Sequence, residues 1–299
     1  MNRDFGSLHY NAIGPWLKNY FGQRVIKLSL DGGFTCPNRD GKVGTGGCIF
    51  CSEDGSGTFA GTADEQIKLL SRKWPEAKYI AYFQNHTNTY APAEKLRTLY
   101  DSALGRDGML GLAIATRPDC LGNEVLDLLS EYNEKTFLWV ELGLQTSKES
   151  TGEYINRCFS DEIFSKACKD LRERNIRFVI HLIEGLPGES REDMMNSARF
   201  ALNEKPFGLK LHMLHVMKGT RLAETDLSLM SMEEYISLIC DILEISSPEV
   251  TIHRLTGDAP HSTLIAPEWT YNKHTVLNEI QKEFKRRGSF QGFRFEEQL

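Results

Sequence analysis

What is scarce in this chain narrows its chemistry before any motif is read. Cysteine is rare, 7 in 299 residues, so a disulfide-stapled secreted scaffold is not expected. No run of about 18 apolar residues occurs, and no basic-then-apolar leader opens the sequence. Neither a membrane span nor export is therefore expected, and a cytoplasmic location is the default. Low-complexity tracts are absent. Positive charge is not in excess: the formal net charge is −6. That argues against a surface coated in cations but leaves room for a local nucleic-acid patch. What remains is ordinary for one large core, at 40% hydrophobic and 25% charged residues, and an α/β barrel of this length can be a single domain.

The few cysteines are unevenly placed. The stretch "FTCPNRDGKVGTGGCIFC" puts Cys36, Cys48 and Cys51 among glycines. Three thiols cannot pair off, and in a reducing compartment such a group points to a metal or to catalysis. Two readings compete. One is a structural zinc site completed by a fourth ligand such as a histidine. The other is an iron–sulfur cluster on three thiolates, with one iron left open to a small molecule. Cys168 and Cys240 fall in amphipathic helical patterns, where a free cysteine behaves as a small hydrophobe. Cys120 and Cys158 read as bystanders.

Along the chain, short apolar runs alternate with helical patterns. Strands are expected at 25–30, 77–84, 110–116, 136–145, 176–185 and 207–214. Between them lie helical segments such as "APAEKLRTLYDSAL" and "SDEIFSKACKDLRERN", and "SMEEYISLICDILEIS" carries a capping-box spacing at Ser231 and Glu234. Six βα units in series imply a parallel sheet with right-handed crossovers, open or curled into a barrel. Functional residues then belong at the C-terminal ends of the strands. There stand Cys36, Gln84, Thr116 with Arg117, Gln145 and the "EGLPGE" turn. The expected organisation is a core over 1–250, with a cysteine loop at 31–58, and a C-terminal extension over 251–299.

Read together, "CPNRDGKVGTGGCIFC", "YFQNHTNTY", "IATRPDCL", "WVELGLQT" and "INR" resemble the radical S-adenosylmethionine superfamily. The commonest spacing there is C-x3-C-x-aromatic-C. Cys48-Ile49-Phe50-Cys51 keeps the second half, while eleven residues separate Cys36 from Cys48. Expanded gaps of this kind mark the branch of Elongator's catalytic subunit, and the five motifs resemble its YhcC/YtqA group over roughly residues 1 to 260. The resemblance implies a partial (β/α)6 TIM-like barrel with a C-terminal extension. It implies a 4Fe–4S cluster on Cys36, Cys48 and Cys51, with S-adenosyl-L-methionine on the open iron and a reductant such as flavodoxin or ferredoxin. Phe50, Gln84, Thr116, Arg117, Gln145, Arg157 and His181 form the implied cofactor-binding set, with Gln145 on the ribose, Arg157 on the methionine carboxylate and His181 near the ribose.

Four of these residues also have a plainer reading. Gln84 can cap a strand end, Arg157 can be a helix-surface charge, and His181 can be a core histidine. Arg117 with Asp119 can be a turn salt bridge.

The tail from Tyr271 to Phe295 gathers Lys273, Lys282, Lys285, Arg286, Arg287 and Arg294 against Glu279 and Glu283, interleaved with Phe284, Phe290 and Phe293. Cations for phosphates and aromatics for bases suit RNA, although a solvated helix face looks the same. Lys285, Arg286 and Arg287 are the expected RNA contacts, with Arg254 and His261 as a second location. The resemblance implies a tRNA substrate, with 5-carboxymethylaminomethyluridine at the wobble position converted to 5-aminomethyluridine. The route envisaged is hydrogen abstraction from the glycine-derived methylene, oxidation to an imine, and hydrolysis. The alternatives are a radical enzyme on a small metabolite and a non-catalytic, metal-clipped RNA-binding protein.

Overall fold

The computed structural model describes residues 5–53, 55 and 59–296; residues 54 and 56–58 of the expected cysteine loop lie outside them. The order is α1 (Ile13–Phe21), β1 (Val25–Leu30), α2 (Ala63–Ser71), β2 (Lys78–Phe83), α3 (Ala93–Leu104), β3 (Met109–Thr116), α4 (Asn123–Lys135) and β4 (Phe137–Gln145). There follow α5 (Glu149–Tyr154), α6 (Asp161–Glu173), β5 (Arg177–Glu184), α7 (Arg191–Asn203), β6 (Gly208–Met213) and β7 (Val216–Met217). The chain closes with α8 (Met232–Ile245), β8 (Thr251–Arg254), β9 (Leu264–Ala266) and α9 (Lys273–Arg287).

Seven strands form one curled parallel sheet in the order β1-β2-β3-β4-β5-β6-β8. The six expected strands are all present. The seventh, β8, lies in the segment expected as an extension, and α9 packs on α8 within the same apolar cluster. β7 and β9 pair separately as a short antiparallel ribbon.

The sequence explains these elements locally. Capping boxes start α2 (Thr62 with Glu65), α7 (Ser190 with Asp193) and α8 (Ser231 with Glu234), each satisfying otherwise orphaned helix N–H groups. Strand residues such as Leu28, Leu112, Leu138 and Leu209 are fully buried under the helices. Each contributes about 1.5–3 kcal/mol through burial. The opposite, concave face is apolar mainly near the strand starts. There Ile13 and Leu17 of α1 pack on Val25, Ile80, Trp139 and Val179 and close the bottom of the barrel. A third cluster, built on Ile49, Ile155, Leu186, Leu214 and Leu222, lies past the strand ends. It supports the cysteine loop.

Candidate active site

The cysteine loop is anchored by hydrogen bonds to two other segments at the barrel mouth. Cys51 N–H donates to the Cys48 carbonyl (3.0 Å), closing a tight turn. Ile49 N–H donates to the Ile155 carbonyl (3.1 Å), and the Ile49 carbonyl accepts from Leu222 N–H (2.9 Å). Asn156 Nδ2 donates to the carbonyls of Thr45 (3.2 Å) and Gly47 (2.8 Å), and Arg221 also binds the Gly47 carbonyl. Asn38 Nδ2 donates to the Asn156 carbonyl (2.6 Å) and lies 3.8 Å from Cys48 Sγ. Asn38, Arg39, Asn156 and Arg221 are missing from the sequence-based set. Asn156 had a signal as the middle of "INR", and Asn38 and Arg39 as part of "CPNRDGKVGTGGCIFC"; Arg221 had none.

The three thiols are half-buried and free. Burial first, then the neighbouring Cys51, pushes the Cys48 thiol up to about 12, with Arg117 acting the other way and Cys36 adding to the rise. Burial also raises Cys51, offset in part by Arg39. Such thiols ionise poorly alone and become thiolates when a metal takes the proton's place. Among the described residues, no three His, Cys, Asp or Glu side chains close around one ion position. A cubane requires no such closure, because each thiolate binds its own iron. The donor set fits a cluster, with Arg39 and Arg117 at hand as counter-charges.

The rest of the expected set divides. Gln145 has φ 71 and ends β4 at a register shift. A Cβ on Gly143 would meet Gln145 Nε2 at 2.5 Å, so the glutamine amide folds back over the barrel mouth. Arg117 is held by Asp119 in a bidentate pair (2.9 and 2.8 Å) and donates to the Arg157 carbonyl (3.0 Å). It forms the turn salt bridge of its plainer reading, placed where its charge reaches Cys48.

Arg157, 2% exposed, is no surface charge. Its guanidinium donates to the carbonyls of Phe159 (3.1 Å), Leu144 (3.2 Å) and Thr146 (2.5 Å) and to Asp161 (2.9 Å). It clamps the end of β4 and presents no free bidentate face toward a ligand carboxylate. Thr116 turns to the helical side and pairs with Thr89 (2.6 Å). Phe50 packs at the edge of the cluster that supports the loop, and Gln84 follows the last residue of β2.

His181 lies deeper, in a polar group that sequence reading passes over. Glu141, fully buried, accepts from Tyr82 Oη (2.7 Å), Trp139 Nε1 (3.0 Å), His181 Nε2 (2.8 Å) and Lys210 Nζ (2.9 Å). Lys27 Nζ stands 4.0 Å away. Burial alone would raise the Glu141 carboxyl, but Lys210, Lys27 and His181 outweigh it and hold it well below the usual carboxylate range. Burial lowers Lys210 to about 7 and His181 to about 4.

The basic tail is largely self-paired. Arg287 faces α8 and binds Asp241 (2.8 Å), Glu244 (3.2 Å) and Glu283 (2.7 Å). Arg286 pairs with Glu283 but its side chain is 72% exposed. Lys285 is exposed. Arg254 pairs with Asp258 (3.3 Å), and His261 stacks on Tyr271 with centroids 4.3 Å apart.

A curled parallel half-barrel with three free thiols on the loop after its first strand is the frame of a cluster-bearing barrel enzyme. Residues 39–201 match the radical SAM superfamily and residues 206–286 the Radical_SAM C-terminal domain; the chain belongs to this superfamily, whose cofactors are a 4Fe–4S cluster and S-adenosylmethionine. It is 45% identical over 295 residues to YtqA of Bacillus subtilis, spanning 95% of this chain and 92% of that one. A tRNA uridine(34) acetyltransferase of Dehalococcoides mccartyi is 29% identical over 174 residues, 56% of this chain and 37% of that enzyme. In fold the chain resembles archaeal Elp3 of Methanocaldococcus infernus, with a TM-score of 0.68 at 17% identity over 89% of this chain and 64% of that chain. Among the described residues no helix is long and apolar enough to cross a membrane.

Proposed function

We propose that this enzyme modifies the wobble uridine of tRNA, converting 5-carboxymethylaminomethyluridine to 5-aminomethyluridine. The observation that carries the reading is the 174-residue similarity to an enzyme named for uridine 34 of tRNA, in a chain whose own barrel mouth holds three clustered thiols. Cys36, Cys48 and Cys51 would hold the cluster, and Phe50, Gln84, Arg117 and Gln145 would border the cofactor. When bound, cluster and S-adenosylmethionine supply a 5′-deoxyadenosyl radical.

The protein's part is to position. The anchored loop fixes the thiols, Arg157 fixes the end of β4, and the Gln145 amide lies over the mouth. A single anticodon base can be brought out of its stack to reach such a cavity. A one-electron donor such as flavodoxin or ferredoxin, in the cytoplasm, would start each turnover.

The test is a deletion strain with its wobble nucleosides profiled by mass spectrometry. The expected result is accumulation of the carboxymethylaminomethyl nucleoside and loss of aminomethyl products, both reversed by the wild-type gene. An unchanged profile beside intact S-adenosylmethionine cleavage by the purified enzyme would move the substrate to a small metabolite.

A further inference from the structure

The concave wall of the barrel carries charges that the radical chemistry does not call for. Lys27 (β1), Tyr82 (β2), Glu141 (β4), His181 (β5), Lys210 and His212 (β6), and His253 and Arg254 (β8) surround the interior. Arg254 lies beside Lys210 in the β6–β8 register. Glu141 already accepts from four donors and has little capacity for another. Lys27, at 4.0 Å from it, lies beyond hydrogen-bond distance and keeps its donors.

Asp258 is shared between Arg254 (3.3 Å) and Lys273 (2.8 Å). On the wall Lys27, Lys210 and Arg254 therefore stand against Glu141 and a share of Asp258, whose other partner, Lys273, reaches it from α9. The histidines add no negative charge. The side chains of Lys27 and Arg254 are 23% and 29% exposed, while that of Lys210 is 5% exposed, so the cluster runs from the interior toward solvent. A concave, partly dry site with a surplus of positive charge is built for an anion.

We propose that Lys27, Lys210 and Arg254, arranged around the satisfied carboxylate of Glu141, bind the substrate's own carboxylate and so select the carboxymethylaminomethyl side chain over its aminomethyl product. The proposal rests on the wobble-uridine reading above. Its physical logic is a difference between two ligands. Both ligands carry an ammonium; in the substrate a carboxylate offsets it and meets the lysines, whereas the product has lost that carboxylate and presents only the charge the same lysines repel. Product would leave because the wall favours only the anion. Glu141 is a positioning residue here, holding Lys210, Tyr82 and His181 in place. The lowered Lys210 amine, at about 7, is what an incompletely neutralised lysine shows when burial and the nearby Arg254 and Lys27 act against the pull of Glu141.

The experiment compares binding of two tRNAs that differ only at the wobble base, carboxymethylaminomethyl or aminomethyl. The cluster-loaded enzyme is used with S-adenosylmethionine but no reductant, so that nothing turns over. Lys210→Met alone would strand Glu141 and can unfold the chain. The informative variants are therefore Lys27→Met and the charge-balanced pair Glu141→Gln with Lys210→Met, each checked by melting temperature and iron content. The wild type should prefer the carboxylate-bearing tRNA by tenfold or more, in line with the ~1.5–3 kcal/mol of a hydrogen bond to a charged group. Each variant should lose most of that preference while binding the aminomethyl tRNA as well as or better than wild type.

Equal affinities in the wild type overturn the proposal. So does a preference that survives in folded variants, even if the enzyme converts the nucleoside. Absence of turnover in a wild type that still shows the Lys27- and Lys210-dependent preference would sink the proposed reaction and leave the anion site standing.

Discussion

At the scale of single residues, Cys48 and Arg157 carry opposite burdens. Cys48 resists ionisation until iron arrives, so its thiolate exists through the cluster. Cys36→Ala, Cys48→Ala and Cys51→Ala should each abolish iron retention and adenosyl cleavage, measured by iron assay and 5′-deoxyadenosine release. Cys168→Ala and Cys240→Ala, in buried helix positions, should leave both intact. Full activity in Cys36→Ala would refute the three-thiol assignment. Arg157 instead stabilises its surroundings. Arg157→Ala leaves the Leu144 and Thr146 carbonyls and Asp161 without their donor, and should cost about 3 kcal/mol in urea unfolding. Arg157→Lys should not restore it, because an ammonium lacks the planar fork. An unchanged unfolding midpoint with weakened S-adenosylmethionine binding would return Arg157 to the cofactor.

At the scale of elements, legibility in the sequence followed the period of the apolar pattern. The six long strands read as continuous apolar runs because both faces of a helix-covered parallel sheet are buried. β8 is four residues, "TIHR", too short to stand out, and α1 precedes the alternation. The interior charges did leave a trace. Lys27, Glu141 and Lys210 are each a lone charge inside an apolar strand, at inward positions. A charge in such a run has to be paired or functional, and that signal was open to reading.

The tail shows the reverse case. Its basic composition does not reveal that Arg287 turns inward. Arg287→Ala should destabilise the α8–α9 packing by about 1.5–3 kcal/mol, read by thermal melting. Lys285→Ala with Arg286→Ala should leave melting unchanged. If α9 binds tRNA, that pair should make the slope of log K against log salt shallower by roughly 0.7–0.9 for each phosphate left without its cation. An unaltered slope would place the RNA-binding surface elsewhere.

At the scale of the whole molecule, the buried charges make stability pH-dependent. His181 and His215 sit near 4 because burial disfavours their charged forms. Unfolding releases them to protonate near ~6.5, so their contribution to stability is fully present above that value and is lost as pH drops toward 4. Glu141, held low, adds a second loss below the unfolded carboxylate value of about 4.3. Melting temperature of the iron-free protein should therefore decline from about pH 6.5 downward, and Glu141→Gln should flatten the lowest part. A flat profile from pH 7 to 4 would mean these groups are solvated.

The anchored cysteine loop has a consequence for how the enzyme matures. A zinc finger has no shape without its metal, so loading and folding are one event. Here Asn38, Asn156, Arg221 and the Ile49 backbone tie residues 38–49 of the loop to the barrel through protein contacts. Much of its ordering entropy is met when the barrel folds. Stripping iron should accordingly leave far-ultraviolet circular dichroism unchanged and lower the melting temperature only slightly, whereas collapse of both would show that the cluster is a folding partner. An apoprotein that keeps its fold in this test can wait for a cluster donor, so that loading need not coincide with folding.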